Sequence, residues 1–183
     1  AECRDLISRN LAEVEGMSLK ALRSGTNWEF ESFSEYLALL RKNRVTPNVA
    51  AFIGHSAVRT MIMGSEASER AATNSEILAM RNLVKGGMEA GAIGFSTSTS
   101  VNHFGDGGVP MPSRLAEEEE LRSLVGVLGE VGRGVFQITV GPTMTSEVLE
   151  SLAKDNNCSV FQTAALYNAA EPDRAFNMVR DSE

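Results

Sequence analysis

The chain has 183 residues, 43% hydrophobic and 22% charged, an ordinary balance for a globular protein with one sizeable core. Its 17 basic and 24 acidic residues give a net charge of −7, which argues against a nucleic-acid footprint. No apolar run approaches the roughly 20 residues that a membrane-spanning helix needs.

The chain opens in helical pattern with Leu6, Ile7, Leu11 and Val14. Ser32-Phe33-Ser34-Glu35 fits a capping box ahead of a helix carrying Tyr36, Leu37, Leu39 and Leu40. A short apolar run, Asn48–Ile53, then stops at Gly54-His55-Ser56. Thr73-Asn74-Ser75-Glu76 fits a second capping box, and the helix behind it holds Ile77, Met80, Leu83, Val84 and Met88, with Gly91 placed to end it. A second apolar run, Ala92–Phe95, leads into a long segment, Ser96 to Ser113, with three glycines and two prolines. A loop of that length inside a compact domain is usually functional. Residues 114–131 read as a helix with Leu121, Leu124, Val125, Leu128 and Val131 on one face. Gly134–Ile138 and Ser159–Thr163 are two further runs. Thr145 or Ser146 caps a short helix between them, and Pro172 suits the first turn of a last helix.

The four runs show little alternation, as strands buried on both faces do. The order α, β, α, β, α, β, α, β, α predicts an α/β fold with a parallel sheet, one domain over residues 1–183. All four strand ends would then open on one face, the place where such folds carry their chemistry. The chain begins without Met and starts and ends in helical pattern, which suggests a piece of a longer domain.

Several groups at these ends are chemical candidates. His55 could act as a ligand or base, although a lone histidine after a strand is more often a hydrogen-bonded structural residue. Ser56 does not pair with it, because adjacent side chains leave a strand in opposite directions. Ser96 to Ser100, with Ser96 and Thr97 leading, could bind a carboxylate or phosphate through hydroxyls and backbone N–H groups, or simply begin a solvated loop. His103 and Asp106 could share a metal or a proton in their glycine-rich surroundings, where mobility is the plainer reading. Glu117–Glu120 is expected to face water and to favour the helix dipole. The two histidines are too few for a His-rich catalytic zinc. Cys3 and Cys158 lack metal-like spacing and predict reduced thiols in a cytoplasmic protein.

Several blocks in order resemble the N-acyl-D-amino-acid deacylase (D-aminoacylase) branch of the amidohydrolase superfamily. They are Glu13-Val14-Glu15 with Trp28 and the 33–40 helix, Asn48-Val49-Ala50 with Gly54-His55-Ser56 and Arg59, Met63-Gly64, Ala71-Ala72-Thr73 with Glu76 and Met80, and Gly91 through Thr97. The resemblance is good over roughly residues 10–100 and looser beyond them.

It implies a (β/α)8 TIM barrel that uses zinc to hydrolyse the amide C–N bond of an N-acyl amino acid. The chain would supply about four β/α units, strands three to six. The family's first-strand His-x-His, second-strand Cys and late Asp find no counterpart here. Its fifth- and sixth-strand histidines fall near Thr139, in Gln137–Gly141, and in Gln162–Ala165, so no metal ligand carries over. On this resemblance His55 and Ser56 form a pocket floor, Ser96, Thr97 and His103 line the site, and Arg114 holds the substrate carboxylate through a bidentate contact. Two other readings remain open. One is a non-catalytic half-barrel that assembles into a homo-oligomer through its open sheet edges. The other is a small α/β domain that binds an anion at Ser96–Ser100.

Overall fold

The computed structural model describes residues 2–164 and 167–180, so Ala165 of the sixth-strand comparison lies outside the described residues. Three helices, α1 (Glu2–Glu15), α2 (Leu19–Gly25) and α3 (Phe33–Asn43), precede β1 (Phe52–Gly54). Then follow α4 (His55–Met63), α5 (Asn74–Ala90), β2 (Gly94–Ser98), α6 (Glu118–Val131), β3 (Val135–Thr139), α7 (Ser146–Asn156), β4 (Ser159–Gln162) and α8 (Arg174–Arg180). The four strands are parallel and lie in the order β1-β2-β3-β4. The α/β fold read from the sequence is therefore present.

Local signals set the helix ends. Both capping boxes form: Ser32 with Glu35 opens α3, and Thr73 with Glu76 opens α5. Gly91 ends α5 at φ 118°, in the left-handed region where glycine carries no steric penalty. Thr145 caps α7 by accepting from the Val148 N–H.

Other boundaries differ from the sequence reading. β2 runs on through Ser96, Thr97 and Ser98, because threonine suits a strand and its hydroxyl finds a partner there. α6 starts at Glu118 rather than 114, since Pro112–Leu115 is a separate 3-10 turn. Pro172 precedes α8 rather than opening it, in a turn closed by the Arg174 N–H donating to the Glu171 carbonyl at 3.1 Å. β1 spans only Phe52–Gly54 of the first apolar run, and α4 follows it with no intervening loop.

The alternation of side chains gives the sheet two different faces. Ile53, Phe95, Thr97, Phe136 and Ile138 are buried. The apolar members pack in one core with Val58, Met80, Val84, Met88, Leu121, Leu124, Leu128, Leu149 and Leu152 from α4 to α7. The other face carries Ser96, Ser98, Gln137 and Thr139, all half-buried, and Phe161 at 52% exposure. A consecutively ordered parallel sheet with its buried face against the intervening helices is an arc of barrel wall. No helix of the described residues is long and apolar enough to cross a membrane.

β2 and β3 approach closely at Gly94, where an added Cβ would lie 1.9 Å from the Val135 carbonyl oxygen. Gly94→Ala should therefore lower unfolding stability by at least about 2 kcal/mol, read as a fall in the urea midpoint.

Candidate functional site

A buried polar cluster lies behind the end of β2. Arg59, His55 and Glu120 are 0%, 1% and 1% exposed. His55 is the first residue of α4, and its imidazole bridges two elements. Nδ1 lies 2.8 Å from Thr97 Oγ1 on β2, and Nε2 lies 2.6 Å from Glu120 Oε1 on α6. Arg59, one helical turn along α4, donates from Nη1 to Glu120 Oε2. Its Nη2 donates to the Arg70 carbonyl at 2.8 Å and the Ala67 carbonyl at 3.4 Å. The buried Arg59 Nε has no partner among the described residues. The ring of Phe95 packs at 5.2 Å from that of His55.

Charge in this cluster follows from its contacts. Burial would raise the Glu120 carboxyl, but hydrogen bonds and charge from His55 and Arg59 outweigh it and hold the group below its usual range. Burial pushes the His55 imidazole below its usual 6.5, against the pull of Glu120. We therefore assign a neutral imidazole beside an Arg59–Glu120 ion pair. A carboxylate only accepts, so Nε2 carries the proton, and Nδ1 accepts from the Thr97 hydroxyl.

Thr97 lies in β2 rather than in the loop, and His55 is buried beneath it at the start of α4. Both side chains point to the helix side of the sheet, sealed from solvent. Glu120, expected in water with Glu117–Glu119, is one of the most buried residues of the chain. Its signal lay in spacing: it sits one turn before Leu124 and beside Leu121, on the apolar stripe of α6.

The remaining candidates gather around the loop that follows β2. Ser96 lies on the open face, with its Oγ 3.5 Å from the Ile53 carbonyl oxygen. His103 Nδ1 lies 2.7 Å from Ser98 Oγ. Arg114 donates from Nη1 to the His103 carbonyl at 3.0 Å, and its guanidinium sits 5.1 Å above the Phe104 ring. Ser56 Oγ accepts from the Ser113 N–H at 3.2 Å. Asp106 pairs with Arg9 of α1 at 2.5 Å.

Next to Ser98 on the same face, Thr139 Oγ1 donates to Thr163 Oγ1 at 3.2 Å. Gln137 Nε2 donates to the same oxygen at 3.4 Å. These strand ends present hydroxyls and an amide. Among the described residues, no three His, Cys, Asp or Glu side chains come together as a metal-holding group. The residues present do not fit a zinc centre.

No family model matches the chain. Over 79 residues, 43% of its length, it is 43% identical to the D-aminoacylase of Alcaligenes xylosoxydans xylosoxydans, of which the match covers 16%. It superposes on a D-aminoacylase crystal structure described as defining a novel subset of amidohydrolases. That match has a TM-score of 0.56 and 29% identity, over 72% of this chain and 26% of the other. The N-acyl-D-glutamate deacylase of Bordetella bronchiseptica, solved with zinc and a phosphonate inhibitor, shares the fold. The TM-score is 0.59 at 23% identity, over 82% of this chain and 31% of the other. The chain is thus similar in sequence to part of the D-aminoacylases and in fold to part of the N-acyl-D-glutamate deacylase, and it spans less than a third of the length of each of these relatives.

Because His55 is buried neutral, folding favours its unprotonated form. The stability it contributes is complete above pH 6.5 and is lost as pH falls from there toward the lowered native value. Wild-type stability should fall as pH drops below 6.5, by up to about 1.4 kcal/mol per pH unit, and His55→Gln should flatten that part of the profile in urea titrations. Glu120, also lowered, adds a further loss only below its ordinary 4.5.

Proposed function

We propose that this chain forms the part of a deacylase-like amidohydrolase that shapes the N-acyl amino acid site, rather than the part that activates water. Its homology to the deacylases supports the reaction class, cleavage of an amide C–N bond. The observation that carries the division of labour is the open sheet face. It holds Ser96, Ser98, Gln137 and Thr139, neutral groups suited to orienting a polar substrate. The metals named for the relatives, zinc among them, find no donor set in the described residues. No catalytic step is routed through a metal here.

In this reading Arg114 binds the substrate carboxylate. Its guanidinium is already oriented by Phe104 and the His103 carbonyl, which lowers the cost of ordering it. His103 lies between that cation and Ser98 and is placed to donate to the acyl or carboxylate oxygen. The free thiols of Cys3 and Cys158 support a reducing, cytoplasmic setting.

A second reading is favoured by one observation. Among the described strands, β1 and β4 each pair on one side only, and Phe161 lies half-exposed on the open face. Two copies joined edge to edge would bring eight strands together and cover that face. Sedimentation at micromolar concentration should then show a dimer, and a monodisperse monomer would exclude this version.

For the leading reading, N-acetyl-D-amino acids should raise the melting temperature of the chain, and the L-enantiomers should not. Arg114→Gln should weaken the shift at least about tenfold in ligand concentration. Metal analysis of the same protein should find zinc below one equivalent and no amide turnover. Tight stoichiometric zinc together with turnover would overturn the proposed division of labour.

A further inference from the structure

The loop between β2 and α6, residues 99–117, is bounded by two residues that share one imidazole. Thr97 lies two positions before the loop and Glu120 three positions after it, and His55 joins them through Nδ1 and Nε2. The neighbouring residue of α4 holds the loop a third time, since Ser56 Oγ accepts from the Ser113 N–H. Ser113 Oγ in turn donates to the Ser98 carbonyl at 2.8 Å, closing the loop on its own starting strand. We propose that the first turn of α4 is a clasp: His55 and Ser56 hold loop 99–117 closed at the strand ends, with Glu120 as the positioning residue behind them.

Arg59 explains how a single buried carboxylate can serve this purpose. It balances the Glu120 charge and is itself anchored on the Ala67 and Arg70 carbonyls. Glu120 is thereby fixed in space before it meets His55. The tip of the loop is held separately. Arg9 pairs with Asp106, and Asn10 Oδ1 accepts from the Asp106 N–H at 2.9 Å. The loop thus has a buried clasp at its base and a polar tether at its tip, and the clasp governs whether His103 and Arg114 stand near Ser98.

The functional weight of the clasp rests on the proposal that loop 99–117 meets substrate, but the clasp itself is testable without any substrate. Hydrogen exchange followed by mass spectrometry would compare the wild type with Thr97→Val, Ser56→Ala and His55→Gln, and with Leu152→Ala, on α7, as a core control. Thr97→Val and Ser56→Ala should each speed exchange across 99–117 about tenfold more than across α5 or β3. Leu152→Ala should raise exchange without that selectivity. If His55→Gln fails to fold, the other two variants decide. Loop exchange that stays at the wild-type rate, or rises no more than in Leu152→Ala, overturns the clasp. A selective rise supports it even if N-acyl amino acids fail to bind, so the two proposals fail separately.

Discussion

The arrangement behind the sheet depends on keeping one buried carboxylate neutralised. Glu120 sits among apolar side chains of α6, where an unpaired charge would cost several kcal/mol. Arg59 supplies the opposite charge and His55 a further donor. The two come from one helix, spaced so that they share a face. That requirement fixes the rotation of α4 about its axis, its distance from α6 and the register of both against Thr97. Replacing the pair with apolar groups could serve stability as well, since buried ion pairs give little net gain. What apolar groups would not supply is direction: three hydrogen-bonding partners on α4, α6 and β2 that admit one geometry.

The sheet converts that geometry into a division between structure and chemistry. Successive residues of β2 alternate faces, so Thr97 points to the clasp while Ser96 and Ser98 point to the open side. A shift of β2 by one residue would exchange these roles and bury two unpartnered serines. The close approach of Gly94 to Val135 blocks such a shift, because a side chain at that register position would meet backbone. Packing at the start of the strand thus secures the placement of polar groups at its end.

The features legible in the sequence are those set within a few residues. The capping boxes at Ser32 and Thr73, the stop at Gly91 and the four strand runs are local, and the structure contains them. Of the blocks that resemble the deacylases, Gly54-His55-Ser56 and Gly91 through Thr97 fall at β1 and β2 of the sheet. Glu120 was hidden because a run of four glutamates satisfies the rule for a solvated helix start, and three of the four obey it. Only helical phase separates the fourth. α4 was hidden because Gly54 is at once the last residue of β1 and the residue before a helix begins, and only the strand is legible in the apolar run. Recognising that helix would have put His55 and Arg59 one turn apart on a single face, a spacing that asks for a buried acid.

The open face carries the corresponding lesson for chemistry. Its strand residues, from Phe52 through Phe161, include no charged side chain. Serine, threonine and glutamine can orient an amide, but as neutral donors they stabilise the charge that develops when one is cleaved only if they are aimed at it as a set, and a cation adds to that. His103, beside Ser98, and Arg114, on the His103 carbonyl, both ride on loop 99–117. The electrostatic help that Arg114 gives to a reaction at the face therefore depends on how that loop is held, and in the clasp its base is held by the buried pair that keeps Glu120 neutralised. The polar cluster sealed from substrate and the neutral face open to it are in this sense one device, coupled through the backbone of β2.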